Sequence, residues 1–450
     1  MKNWTVNDGG CQVVFTEDLS TSLQSNLPGI AAPMNIYAIC SPSQRSIAVV
    51  QSVIDSMETK YNTTIIAKGL AQVPVELVDE TFAVLPDPSI TPFMFLAVGG
   101  GGVIGLAKSL SLRFESGIPI AVIPTTYSGS EMTNIAGILT SQGKKTVRDD
   151  RARPKLVLYD ATLVQSMPKA QAVSSACNAL AHAVEALWDS TAAPTGVLMS
   201  EEAVRAMYGG LTAMANPETA YNDLDICHTL LYGSYLCGSV LNSHVMGVHH
   251  KLAHVLGGRF HLPHADVHTV LLPHTLFFNS NHAPVAMNIL RKVMANTDPA
   301  GALFDLQKKL EAPTSLRALK LAFEDIEQSA AVAVAEASEP GSHYRNPRPI
   351  DQEGIHDLIS AAFHANRPCA RVVLDKDLLP RAATEAKEDL AVRFGRHGAM
   401  PVSVLGADLD KAEIVIVCVH GRFASANRII QQLEEVTGVH HASGKIAVIA

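Results

Sequence analysis

The chain has 450 residues, 47% of them hydrophobic and 17% charged, with a formal net charge of −8; that supplies apolar surface for more than one packed core and excludes a disordered chain. The acidic balance argues against a nucleic-acid partner, which demands a basic face, and leaves room for a local basic pocket and an anionic small molecule. Seven cysteines without a C-x-x-C pair, an N-terminus (Met1–Asp8) without the apolar core of a signal peptide, and no unbroken apolar run of membrane-spanning length set the expectation of a cytoplasmic protein with reduced thiols and no membrane partner.

Strand-like and helix-like segments alternate in the first third. Asn35 to Cys40 reads as a strand, Ser46 to Lys60 as a helix, Thr63 to Ala67 as a strand and Pro74 to Leu85 as a helix. Phe95 to Val98 is a buried strand that runs into four glycines, followed by a helix over Val103 to Phe114 and a strand over Ile118 to Ile123. This alternation implies a mostly parallel sheet flanked by helices. From Lys169 to about Asn366 the periodicity is mainly helical. The expected division is an α/β dinucleotide-binding domain over 1–160 and an all-α catalytic domain over 161–368, with the cleft between them as the default site. The last segment, 370–450, reads as βαββαβ, with strands at Arg371–Leu374, Val402–Leu405, Ala412–His420 and Lys445–Ala450 and helices at Leu378–Arg393 and Ala424–Val436; that order is ferredoxin-like.

Three constellations carry chemistry. Gly99, Gly100, Gly101 and Gly102 follow a strand and open a helix. Such a turn lets the backbone approach a pyrophosphate while helix amides face the anion, although glycines also serve a plain βα turn. Pro124-Thr125-Thr126-Tyr127-Ser128-Gly129-Ser130 follows the next strand and places small hydroxyl side chains where a cofactor groove would run. Finally, Asn178 and His182 are four apart, as are His250 and His254, so each pair shares one helix face, and His264 follows shortly after. Polar side chains converging from two helices on a cleft make a metal or oxyanion site.

The order of these motifs resembles the iron-type alcohol dehydrogenase superfamily, which shares its architecture with dehydroquinate synthase; the resemblance runs from about residue 10 to 368. In its metal-bearing members an Asp and three His bind iron or zinc, and those positions fall here on Asn178, His182, His250 and His264. Asn in place of Asp removes the compensating charge that a divalent cation wants, so the resemblance implies a site without metal. The strings Pro-Thr-Thr-Tyr-Ser-Gly-Ser-Glu-Met-Thr, His-His-Lys-Leu-Ala-His, Leu-Pro-His-Ala and Asn346-Pro-Arg-Pro-Ile350 are similar to the maleylacetate reductase branch. Gly102 and Ala253 depart from it, standing where Ser and Cys are usual.

What the resemblance implies is reduction of maleylacetate, a keto-dicarboxylate, to 3-oxoadipate in aromatic-compound catabolism, with NADH or NADPH as cofactor and a homodimer as the assembly. His250 and His254 would take the oxyanion and proton roles, with His182 and His264 beside them and Asn178 orienting the cluster. Lys251, Arg345 and Tyr127 are the candidate substrate contacts. Gly99 to Gly102, Thr125, Thr126 and Ser130 would border the cofactor, and Lys145 (or Lys144, one place away) would meet a ribose hydroxyl. No acidic residue follows the strand ending at Cys40, so nothing there selects NADH over NADPH. Residues 370–450 form an addition with a faint likeness to ACT-type regulatory domains, in which His420, His440 and His441 read more simply as loop residues than as ligands. The rival readings are a metal-dependent alcohol or aldehyde reductase of the same superfamily and a non-catalytic metabolite sensor.

Overall fold

A computed structural model describes residues 3–368, except 28–34, 57–60, 71, 141–142, 297 and 339–344, together with four strands beyond 368. The N-terminal part comprises β1 (Trp4–Asp8), β2 (Cys11–Phe15), α1 (Leu19–Asn26), β3 (Asn35–Cys40), α2 (Gln44–Ser56), β4 (Thr63–Ala67), α3 (Val75–Phe82), β5 (Phe93–Gly99), α4 (Gly101–Ser111), β6 (Ile120–Pro124), β7 (Ile135–Thr140), β8 (Gly143–Arg148) and β9 (Leu156–Tyr159). Seven of these strands form one sheet in the order β1-β2-β9-β6-β5-β3-β4, parallel throughout except for the antiparallel edge strand β1. Chain order reverses between β3 and β5: β4 continues outward on one side and β6 on the other. A crevice opens at such a switch point, past the carboxyl ends of the two strands. β5 is buried along its whole length, as its unbroken apolar run requires of a central parallel strand.

β7 and β8 form a separate antiparallel hairpin, tied to the segment before α3 by a bond from the Leu139 amide to the Val73 carbonyl. Helices follow: α5 (Ala161–Val164), α6 (Lys169–Ala186), α7 (Pro194–Met214), α8 (Leu224–Ser243), α9 (Val248–Arg259), α10 (His264–Asn279), α11 (Pro284–Val293), α12 (Pro299–Lys309), α13 (Asp325–Ala337) and α14 (Gln352–Phe363). Several start at an Asp whose carboxylate accepts a first-turn amide, among them Asp160, Asp223, Asp298 and Asp351. Among the described residues, no helix is long and apolar enough to cross a membrane.

The core does not stop where the expected first domain ends. One apolar cluster joins Phe15, Phe95, Val122 and Tyr159 of the sheet to Ala176, Leu180, Val204 and Leu231 of α6, α7 and α8. A second packs α9 and α10 against α13 and α14, and a third covers the other face of the sheet. The small residues of α6 let its neighbours come close, and nearly all of it is buried.

Beyond 368, β10 (Ala370–Leu374), β11 (Ser403–Asp408), β12 (Glu413–Cys418) and β13 (Ile446–Ile449) pair antiparallel in the order β11-β12-β10-β13. The expected helices over 378–393 and 424–436, and His420, His440 and His441, lie outside the described residues.

Two glycines give opposite expectations. A Cβ on Gly238 of α8 would lie 2.1 Å from the carbonyl oxygen of Gly129, so backbone would have to move. Gly209, in the exposed interior of α7, has nothing within 4 Å of that position. Gly238→Ala should therefore destabilise by about 3 kcal/mol. Gly209→Ala should stabilise by about 0.5–1 kcal/mol, because only the helix entropy term changes. Denaturant midpoints of the two variants should move in opposite directions.

Candidate active site

The ends of β3, β5 and β6 and the N-termini of α4, α9 and α10 surround one cleft of about 1990 Å³. In its nucleotide half, Gly100 is the N-cap of α4 and supplies no side-chain cap, so the first amides of the helix stay open toward the cleft. A Cβ on Gly100 would sit 2.8 Å from the Thr126 methyl, so only glycine lets the two loops approach this closely. The Thr125 amide donates to the Gly99 carbonyl at 3.0 Å, fixing the second loop against the first. Ser41, Ser43 and Ser46 line the cleft past β3 and bond to one another through their hydroxyls.

Lys108 of α4 is fully buried and carries no solvent contact. Its Nζ donates to the carbonyls of Ser130 and Thr133, both at 2.6 Å, and to the Thr133 hydroxyl. Desolvation lowers its pKa to about 7 against the pull of Glu131. The loop over 130–133 is thereby pinned beside the glycine turn.

The other half of the cleft is lined by Asn178 and His182 of α6, His250 and His254 of α9, and His264 and His268 of α10. Ring centroids lie 5.1 Å apart for His182 and His250, 6.2 Å for His254 and His264, and 4.9 Å for His250 and His268. Glu185, fully buried on α6, accepts from His250 Nδ1 at 2.5 Å and from the His249 and His250 amides. His250 Nε2 has no partner within the described residues, nor do Asn178 Oδ1, His182 Nδ1 and His268 Nε2. Behind them, His268 Nδ1 bonds His249 Nε2 at 2.8 Å, and His249 Nδ1 bonds the Thr275 hydroxyl at 3.0 Å. That hydroxyl also donates to the Leu271 and Leu272 carbonyls. The simplest tautomer assignment for this chain leaves a bare acceptor at His268 Nε2.

The structure brings together the five expected residues of the polar cluster and places Gly99 to Gly102, Thr125, Thr126 and Ser130 on the same cleft. Three expectations need correcting, and a fourth gains a partner. Tyr127 is buried in the core, with its amide bonded to the Ser175 hydroxyl, and does not line the cleft. Arg345 turns away to the Thr191 hydroxyl and Asp189, half exposed; what it brings near the site is its backbone, bonded to Met246. Lys145 is exposed and pairs across the hairpin with Ile138, whereas Ile135, Gly137, Leu139, Thr146 and Arg148 of the alternate register line the cleft. The register sets Lys144, the alternative, opposite Leu139. Lys251 does line the cleft, but its ammonium is held by Glu336.

Sequence reasoning missed Glu185, His268, Asp266 and Glu336. Glu185 lay in the same helical stripe as Asn178 and His182, at offsets of seven and three, which was signal enough. His268 stands one turn after His264. Asp266 lines the cleft with its carboxylate taken by the Ser174 hydroxyl at 2.5 Å. Glu336 is distant in sequence from every motif and reaches the site only through the packing of α13 on α9.

Comparison with known proteins adds names to this geometry. Residues 12–161 match the family described as iron-containing alcohol dehydrogenase, and residues 172–363 match its C-terminal part. A maleylacetate reductase of Burkholderia cepacia is 42% identical over 302 residues, covering 67% of this chain and 82% of the relative. The crystal structure of maleylacetate reductase from Agrobacterium tumefaciens superposes with a TM-score of 0.71 at 30% identity, covering 82% of this chain and all of that one. A putative alcohol dehydrogenase from Ralstonia eutropha superposes at 0.72 and 37% identity, covering 79% and 96%.

Iron appears in the family's description, and the residues here do not fit it well. The donors facing the cleft at the expected positions are imidazoles and a carboxamide, with no carboxylate among them. The nearby carboxylate, Glu185, is committed to three N–H groups. Among the described residues, no three His, Cys, Asp or Glu side chains are disposed to hold a cation.

Burial, and then neighbouring imidazoles, hold His182, His249 and His268 well below the usual histidine pKa of 6.5. The unfolded chain therefore binds more protons than the native state below pH 6.5, and stability falls as pH drops through that value. Each ring contributes a slope of up to about 1.4 kcal/mol per pH unit. Denaturation midpoints should fall steeply between pH 6.5 and 5, and His268→Asn should remove about one proton from that slope.

Proposed function

The chain belongs to the iron-containing alcohol dehydrogenase family, and from that premise we propose that it is a maleylacetate reductase, an NAD(P)H-dependent oxidoreductase that converts maleylacetate to 3-oxoadipate without a metal ion. The observation that carries this reading is the meeting, in one cleft, of an uncapped glycine-turn helix with a cluster of histidines around Asn178. The curated relatives at 36–42% identity bear the same name.

The glycine turn fits a dinucleotide: Gly100 and Gly101 leave room for a pyrophosphate, the open amides of α4 face it, and Thr125, Thr126 and Ser130 border the groove. Bound there, NADH or NADPH supplies a hydride. The Ser41, Ser43 and Ser46 hydroxyls past β3 offer hydrogen bonds without a carboxylate that would repel a 2′-phosphate.

The substrate's double bond is conjugated to a ketone, so its reduction builds negative charge on the ketone oxygen. Imidazole N–H groups of His250 and His254 hold that oxygen, in the place a cation would take in metal-bearing relatives. Glu185 fixes Nδ1 of His250 as the buried nitrogen, which makes Nε2 the one that reaches the ligand. A ring protonated on both nitrogens donates from Nε2 and returns a proton to the carbon skeleton. His182 packs against this ring, and Asn178, one turn earlier on α6, orients the cluster from the same cleft. Lys251 is the substrate-facing cation of α9.

We also propose a ferredoxin-like fold for the segment after residue 368; its four described strands follow the order β11-β12-β10-β13, the order expected of βαββαβ.

Purified protein should oxidise NADH in the presence of maleylacetate, and EDTA should leave the rate unchanged. NADH and NADPH should be used with kcat/KM values within about tenfold, a difference of 1.4 kcal/mol. His250→Ala or His254→Ala should lower kcat by about 100-fold or more while NADH affinity holds, as expected for loss of an oxyanion donor. Activity confined to simple aldehydes and abolished by EDTA would replace this reading with a metal-dependent alcohol dehydrogenase.

A further inference from the structure

A dicarboxylate needs two cationic contacts, and histidines reserved for the ketone do not supply them. Among the described lysines and arginines, two line the cleft, Arg148 and Lys251. Arg148 ends β8 on the cleft-facing register, opposite Ile135. Its guanidinium is braced by backbone: Nη1 donates to the Asn242 carbonyl at 2.9 Å, and Nη2 to those of Leu241 and His244 at 3.2 and 3.3 Å. These are the last carbonyls of α8 and the residue beyond, so the planar group is oriented without being neutralised by an acid. Among the described residues, no carboxylate forms an ion pair with it. Hairpin strand β8 packs on α9, the helix that carries Lys251.

Lys251 is in the opposite condition. Its side chain is 5% exposed and paired with Glu336, which is 45% exposed. When another carboxylate takes the place of Glu336, the buried ammonium keeps an acid beside it and the half-exposed Glu336 returns to water. The pair is therefore built for exchange of one carboxylate for another. The other acids on the cleft are occupied: Asp266 by the Ser174 hydroxyl, and Glu311 by Lys169.

We propose that Arg148 and Lys251 form a clamp for the two carboxylates of the substrate, and that Glu336 occupies the Lys251 half of the clamp until the substrate displaces it. Arg148 is then a specificity-determining residue: its positive charge and the N–H groups not spent on the α8 carbonyls take one carboxylate, and Lys251 takes the other. Glu336 is a competitor held on the protein, which weakens every ligand that uses Lys251 and screens out molecules with no carboxylate to exchange. The clamp rests on the reductase reading for the identity of the substrate. Its recognition chemistry, a six-carbon dicarboxylate, is testable without turnover.

The test is binding of adipate, a redox-inert six-carbon dicarboxylate, to the full chain saturated with NADH, by calorimetry at fixed ionic strength, with hexanoate as the singly charged control. Arg148→Met should weaken adipate at least tenfold and hexanoate less, with NADH affinity within twofold of the parent. Glu336→Gln should tighten adipate two- to tenfold. Because Arg148 also braces α8, Arg148→Lys serves as the second variant: it keeps a donor on those carbonyls, should retain the parent's melting temperature, and should still lose affinity for adipate. Unchanged adipate binding in Arg148→Met or Arg148→Lys, or weaker binding in Glu336→Gln, would overturn the clamp. Adipate binding through Arg148 in a protein that fails to reduce maleylacetate would sink the reductase reading and leave the clamp standing. Reduction of maleylacetate with an unaltered KM in Arg148→Lys would do the reverse.

Discussion

A single buried carboxylate joins two of the three helices on which the histidines stand. Glu185 lies near the C-terminus of α6 and receives the His249 and His250 amides of α9 as well as the His250 ring. Helix α9 begins at Gly247 with no cap of its own; Asn346 serves the Val248 amide and Glu185 the next two. A negative charge at a helix N-terminus is favoured by the open amides and by the helix dipole. Here it also determines which face of α9 meets α6. Gly247 follows from the same constraint, because a Cβ there would lie 2.6 Å from the Arg345 carbonyl and 3.0 Å from Glu185. The approach of His182 to His250, and the direction of His250 Nε2, both follow from where this carboxylate sits.

The nucleotide half has a counterpart in Lys108. Its ammonium gathers carbonyls from Ser130, Thr133 and Ile135, the stretch that leads into β7. Glu131, also fully buried, bonds the Tyr159 and Ser234 hydroxyls, and burial raises its pKa. Lys108 and Glu131 thus tie the helix after the glycine turn, the serine-rich loop, the last strand of the sheet and α8 into one unit. The cleft is bordered by rigid backbone on both sides, and the adaptable groups, Lys251 with Glu336, sit between them.

Much of this was legible in the sequence. Strands β3, β4, β5 and β6 and helices α2, α3 and α4 were readable from run length and periodicity, as was the long helical stretch after Lys169. Strand β1 was not, because Trp4–Asp8 is mostly exposed and polar at the sheet edge. The β7–β8 hairpin was missed because its register is set by contact with the cleft and with Val73, not by a period-2 apolar pattern. The polar cluster was readable because its members come in i,i+4 pairs on two helices. What failed was any residue whose placement depends on a partner far away in sequence: Arg345 found Asp189 and Tyr127 found the core, and Glu336, the partner of Lys251, was not foreseen. A side chain's charge is written in the sequence, but the group that neutralises it is decided by packing.

The apolar cluster that runs from β2, β5, β6 and β9 into α6, α7 and α8 also restricts how the cleft can breathe. Swinging the sheet away from these helices as a rigid body would bring Phe15, Val122, Leu180 and Leu231 into water together. Each such side chain carries about 1.5–3 kcal/mol of transfer free energy, far above thermal energy when summed. Ligands must therefore enter and leave by a route that keeps this seam shut, at the mouth near α13 where Lys251 and Glu336 sit. A reaction that exposes charge on an oxygen is thus run inside walls that do not part, and solvent reaches it only by the route the ligands use.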